Sequence, residues 1–175
     1  NATAQRYPAS LTKKMTLYLM FDALKKKRIS LKTHFPVSGR ATRQQPSKLW
    51  LKTGQTVSVE TLLKSMIVKS ANDSAFVTAE GLGGSVENFA KMMTKKAKEL
   101  GMHDTTFKNP SGLNDRNTTD KRQCTTAKDM SILAIALYRD FPEYVHYFKL
   151  KEFIYDGRII KTHNRMINDR YGIDG

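Results

Sequence analysis

The chain has 175 residues, is 39% hydrophobic and carries a formal net charge of +14 at pH 7, with a pI near 9.9. That is apolar enough to fold rather than stay disordered, and long enough for one compact domain with a real core but marginal for two. No apolar run approaches the roughly 18 residues of a membrane span, and a field of this sign draws in nucleic acid, anionic lipid or an acidic cell-wall polymer without choosing among them.

The single cysteine, Cys124, excludes an intrachain disulfide and fits a cytosolic protein or an exported one that does not rely on disulfides. His34, His103, His146 and His163 carry no motif linking them to Cys124 and no metal-site spacing. Neither a cysteine nucleophile nor a metal is therefore expected. The opening "NATAQRYPAS" lacks a charged segment followed by an apolar one; a mature exported protein reads the same way.

In chain order, Pro8 precedes a predicted helix from about Ser10 to Lys26, with Met15, Tyr18, Leu19 and Leu24 on one face and Leu17, Met20 and Phe21 widening it. The run "KKKR", Lys25 to Arg28, suits the helix C-terminus. Residues 30–57, punctuated by Pro36, Gly39, Pro46 and Gly54, read as loops with one or two short strands. "SVETLLKSMIVKS" from Ser58 predicts a second helix. After a break at Ser70 to Asp73, a third ends at Gly81, Gly83 and Gly84. Ser85 caps a fourth, with Phe89, Met92, Met93 and Leu100 as its core stripe and Gly101 as its stop. A polar loop spans 103–124. Thr126 and Asp129 then form a capping box for a helix to about Tyr138, "FPEYVHYF" follows as a short helix, and Asp156-Gly157 sits between two β-prone pieces as a hairpin turn.

Two places carry potential chemistry. Ser10 and Lys13, three apart on a helix, share a face at its N-terminal end. There the partial positive charge and burial bias the lysine amine toward its neutral form, which can take a proton from the serine hydroxyl. Taken alone, the spacing is equally that of an ordinary helix cap in a lysine-rich chain. Ser70 and Asn72, in "KSANDSA", lie on a tight turn between two helices, where a hydroxyl and an amide can face one cleft. A cap with an Asx-type turn is the plain alternative.

Together, "YPASLTKKMT" and, about 60 residues on, "LLKSMIVKSANDSA" resemble the serine-type D-alanyl-D-alanine carboxypeptidases, the low-molecular-mass penicillin-binding proteins of the serine β-lactamase superfamily. "LWLKTGQTVSVETLLKSMIVKSANDSA", "GMHDTTFKNPSGLND", "TTAKDMSILAIALYRDFPEY" and "YGIDG" extend the likeness over the whole chain in the family's order. The resemblance implies an α+β, penicillin-binding-protein-like fold. Residues 1–175 would be mainly its helical part, with short strands, one hairpin and most of the antiparallel sheet missing. It implies Ser10 as the acylated nucleophile, Lys13 as its general base, Ser70 in proton transfer and Asn72 in substrate positioning, with no metal and no organic cofactor. The implied partners are the D-alanyl-D-alanine end of a peptidoglycan stem peptide and β-lactams as covalent inhibitors, in the bacterial cell envelope on the outer face of the membrane or in the periplasm.

The family's third motif, Lys-Thr-Gly, is expected just after "YGIDG". The "KTG" at Lys52 to Gly54 precedes Ser70 and is expected to be only a turn. The natural protein is therefore expected to continue in both directions, or a second chain to carry that strand, and this chain alone to be unstable or inactive. A D,D-endopeptidase or a β-lactamase on the same fold is the enzymatic alternative. The β-lactamase is disfavoured because no Glu-x-x-Leu-Asn and no Tyr-x-Asn appears. A non-enzymatic basic helical module binding nucleic acid or anionic polymer is the alternative from another class; the leading account needs no specific nucleic acid.

Overall fold

The structure, a computed structural model, describes residues 1–113, 123–164 and 167. Ala9–Thr12 form a 3-10 turn that runs directly into α1 (Lys13–Lys25). Then come β1 (His34–Pro36), α2 (Gly39–Thr42), β2 (Thr56–Ser58), α3 (Val59–Lys69), α4 (Asn72–Gly83), α5 (Val86–Glu99) and α6 (Ala127–Asp140). A 3-10 segment, Pro142–Lys149, leads to β3 (Glu152–Tyr155) and β4 (Arg158–Lys161). Among the described residues the strands make two separate antiparallel pairs, β1 with β2 and β3 with β4. The fold is thus α+β with helices dominant, as expected.

Side-chain caps set the helix starts. Ser58, Ser85 and Thr126 lie in extended backbone and accept the N–H groups of Thr61, Asn88 and Asp129, satisfying donors that a helix start leaves without an internal partner. The box at α6 is only half formed. The Asp129 carboxylate turns instead to the Asp104 N–H (3.0 Å) and the Thr105 hydroxyl (2.7 Å), anchoring the loop after α5. Two other departures are local. The 3-10 turn, Ala9–Thr12, takes the first three positions expected of the first helix, and Ser38 caps the short α2 inside a stretch expected to be loops and strands. The hairpin turn is as expected: Asp156 and Gly157 have φ of 50° and 70°, the pair of positive values that a two-residue type I′ turn requires.

The core forms around α4. Asn72 through Ala79 are all buried, and α1, α2, α3, α5 and β1 pack around them, the arrangement expected of a helix that is apolar on most sides. On α5, Val86, Phe89, Ala90, Met93 and Ala97 face inward; Met92 is half-buried at the core's edge. Phe21 of α1 stacks on Tyr144 at 4.9 Å and meets Phe148 edge-on at 6.3 Å, which docks the 3-10 segment 142–149 on α1. Among the described residues no helix is long and apolar enough to cross a membrane.

Gly81 of α4 lies against the Phe35 ring of β1 so closely that an added Cβ would overlap ring carbons. Phe35 is itself buried and has little room to move. Gly81→Ala is expected to lower the unfolding free energy by about 1–3 kcal/mol in urea titrations, as overpacking of a filled core does. An unchanged midpoint would contradict this packing.

Candidate active site

The 3-10 turn at residues 9–12 places Ser10 on the surface and Lys13 beneath it. Ala9 enters with φ of 46°, in the left-handed region that a residue with a Cβ adopts at a cost. Lys13 is the first residue of α1 and only 3% exposed. Its Nζ lies 3.2 Å from Ser10 Oγ and 2.9 Å from the Ser111 carbonyl. Burial lowers its pKa from 10.5 to about 8, because the ammonium form loses its hydration. The unfolded chain binds this proton more readily. Folding is therefore penalised below about pH 8 and relieved as pH rises from there to the ordinary lysine value.

The Ser111 carbonyl is held in place by its own loop. Asn109 Oδ1 accepts the N–H groups of Ser111 (3.2 Å) and Gly112 (2.8 Å), closing an Asx-type turn. Asn109 Nδ2 donates to the Leu113 carbonyl at 2.6 Å. The turn is pinned to α1 by Thr16, whose hydroxyl donates to the Pro110 carbonyl at 2.8 Å. Gly112, with φ of 86°, packs onto the Ala9 carbonyl so tightly that a Cβ there would overlap it. Only glycine suits both the backbone angle and the approach.

Ser70 arrives from the other side. It ends α3 in a left-handed conformation, φ 54°, and its turn is clamped by the Ser65 hydroxyl donating to Ser74 Oγ at 2.7 Å. Ser10, Lys13 and Ser70 line one cavity of about 210 Å³. Leu11, Leu17, Met66, Ile67, Phe148 and Ile167 supply its apolar walls, which accounts for the dry surroundings of Lys13. The β3–β4 hairpin closes one side through Thr162 and Asn164. It is tied to the body by Gln55 Nε2 donating to the Tyr155 hydroxyl (2.9 Å) and by the Lys69–His163 contact (3.0 Å).

Asn72 does not join them. It is 2% exposed, its Nδ2 donates to the Gln45 carbonyl at 2.8 Å, and its Oδ1 is buried with no partner among the described residues. It lies beside Ser70 in sequence but outside the cavity lining. The neighbouring Asp73 carboxylate accepts the N–H groups of Leu49 (3.0 Å) and Leu51 (3.2 Å), so the start of α4 organises residues 45–51 rather than the cavity. Lys52–Gly54 form a turn ahead of β2, away from the cavity lining. The "YGIDG" stretch lies outside the described residues. Among the described residues no group of three or more His, Cys, Asp or Glu side chains is placed to hold a metal ion.

The Ser111 carbonyl is the element that residue types did not reveal, since a backbone oxygen has no letter of its own. The signal available was Asn109-Pro110-Ser111-Gly112, a turn-former followed by an obligate glycine.

Comparison with known proteins bears on the family and the fold. A family model described as D-alanyl-D-alanine carboxypeptidase matches residues 1–175. The chain is 35% identical over its full length to D-alanyl-D-alanine carboxypeptidase DacF of Bacillus subtilis, covering 45% of that protein, and 36% identical to DacC of Escherichia coli, covering 44%. It thus spans less than half the length of these curated relatives. Penicillin binding protein 5 from Haemophilus influenzae superposes with a TM-score of 0.88 at 33% identity, over 98% of this chain and 49% of that one. A penicillin-binding protein from Listeria monocytogenes, solved in its ampicillin-bound form, gives 0.83 at 29% identity over 97% of this chain and 67% of that one. With the family matched from the first residue to the last and the fold shared, the chain belongs to the D-alanyl-D-alanine carboxypeptidase family.

Proposed function

We propose that residues 1–175 are part of a serine-type D-alanyl-D-alanine carboxypeptidase domain that trims the terminal D-alanine of peptidoglycan stem peptides in the bacterial cell envelope. The observation that carries this reading is the contact of Ser10 Oγ with a desolvated Lys13 amine, the amine being held from behind by the Ser111 carbonyl.

In its neutral form Lys13 has two N–H bonds and a lone pair. One N–H donates to the Ser111 carbonyl, which turns the lone pair toward Ser10. The Ser10 hydroxyl gives its proton to that lone pair as its oxygen attacks the carbonyl carbon of the penultimate D-alanine. An ester forms at Ser10, the peptide C–N bond breaks, and D-alanine leaves once its nitrogen has gained a proton. Ser70, which lines the same cavity, relays that proton. Water then hydrolyses the ester by the reverse path, with Lys13 again as base. Ser10 lies in the opening 3-10 turn, where the first N–H groups have no acceptor within the helix and can meet the developing oxyanion. β-Lactams would enter the same path and stop at the acyl ester. Asn72 acts in positioning: its amide fixes the Gln45 carbonyl and orders the segment beside Ser70.

Two outcomes are expected. Incubation of the whole protein that contains residues 1–175 with a labelled penicillin adds the mass of the labelled penicillin, and Ser10→Ala abolishes the adduct while leaving the circular dichroism unchanged; an adduct that survives Ser10→Ala overturns the assignment. The base must be neutral to act, so the acylation rate should rise about tenfold per pH unit below the Lys13 pKa of about 8 and level off above it. A rate that stays flat from pH 6 to 9 would remove Lys13 from the role of base.

A further inference from the structure

A second cavity, of about 610 Å³, lies between α5 and the loop at residues 106–109, and it shares no lining residue with the Ser10 cavity. Its charge is one-sided. Lys91, Lys95 and Lys98 stand along one face of α5, Lys108 faces them from the loop, and Arg40 closes the end. Glu87 is the only acidic lining residue among those described, and Arg40 already pairs with it at 2.7 Å. The spacing of the α5 lysines, four and then three residues, sets them on adjacent turns about 5–6 Å apart. All three are exposed.

The groove is also braced. Thr94 Oγ1 donates to the Phe107 carbonyl (3.2 Å) and accepts the Phe107 N–H (3.0 Å), locking the loop wall to the helix wall. Ala90, Thr94 and Phe107 also line the groove. Phe107 is 2% exposed and offers no ring face on which a base could stack. Single-stranded nucleic acid sites rely on such stacking platforms. A membrane presents a flat array of charge, whereas this row of cations lies in a trough. Its shape and charge fit a single strand of repeating negative charge without aromatic bases.

We propose that this trough is a docking site for a polyol- or sugar-phosphate polymer, a phosphodiester strand of the kind found in acidic cell-wall polymers. The strand would lie along α5 with its phosphates on Lys91, Lys95 and Lys98. It would hold the molecule on an anionic wall while leaving the Ser10 cavity open. This site stands independently of the acyl-serine chemistry.

The test is binding of the protein to poly(glycerol phosphate) by fluorescence anisotropy at 50 and 200 mM salt. Two triple variants with the same change in net charge are compared: Lys91→Glu with Lys95→Glu and Lys98→Glu, and Lys32→Glu with Lys52→Glu and Lys161→Glu. The α5 variant is expected to bind at least tenfold more weakly, with the slope of log affinity against log salt reduced by about 2, as loss of three phosphate contacts implies. The control variant should change less than threefold, and both should still form the penicillin adduct at Ser10. If the Glu variant misfolds by circular dichroism, the corresponding Lys→Gln triple should give the same ordering with a smaller loss. Equal weakening by the two variants would reduce the effect to overall charge and overturn the site. So would absence of binding at 50 mM salt. Equal or tighter binding of a twenty-nucleotide oligo(dT), or of vesicles containing anionic phospholipid, through the same lysines would overturn the choice of polymer.

Discussion

An ammonium group is hard to bury without a carboxylate, and the organisation of the Ser10 cavity follows from burying this one. Lys13 is taken out of water by Leu17, Met66, Ile67 and Phe148 and is given a carbonyl and a hydroxyl rather than a counter-charge. A carboxylate in the same place would hold the proton on the lysine and work against the role of base proposed for it. The neutral acceptors leave desolvation as the dominant influence, and the pKa falls toward working pH. The same burial makes the site a weak point for folding at neutral pH, a local cost typical of functional residues.

The surrounding structure pays attention to that lysine from three directions. The first is α1 with its leading 3-10 turn, which sets Ser10 and Lys13 on one face. The second is the Asn109 turn, fastened to α1 through Thr16 and through the close approach of Gly112 to Ala9. The Thr105–Asp129 bond and the backbone pairing of Arg6 with Thr125 hold the base of this loop to α6 and to the segment before Ser10. The third is the α3–α4 corner, where the left-handed Ser70 turn is clamped by Ser65 and Ser74. These three parts come from residues far apart in sequence, and the buried α4 at the centre keeps them in register.

Much of this was legible in the sequence, for identifiable reasons. Ser58, Ser85 and Thr126 announce their helices because a capping oxygen has a distinctive residue type ahead of an apolar period, and Asp156-Gly157 announces the hairpin because few residues accept two positive φ angles. Ser10 and Lys13 were legible as a pair by spacing, and became specific only through the ordered resemblance along the chain. The short α2 was hidden because four residues make too little periodicity to detect. Asp129 kept only half its box, since tertiary bonds to Asp104 and Thr105 outcompeted the local one. The Ser111 carbonyl and the turning of Asn72 toward Gln45 depend on contacts between distant segments, which no local pattern records.

The fold lowers the Lys13 pKa to about 8, so that a usable fraction of the amine is neutral near physiological pH, and this can be tested on the resting protein without any substrate. Nitrogen-15 NMR of the lysine side chains, with Lys13→Met to assign the signal, would follow the Nζ resonance of Lys13 through a pH titration. The expected midpoint is near 8. A Lys13 midpoint at the ordinary lysine value would mean that the site is wet and that the amine cannot serve as the base for Ser10.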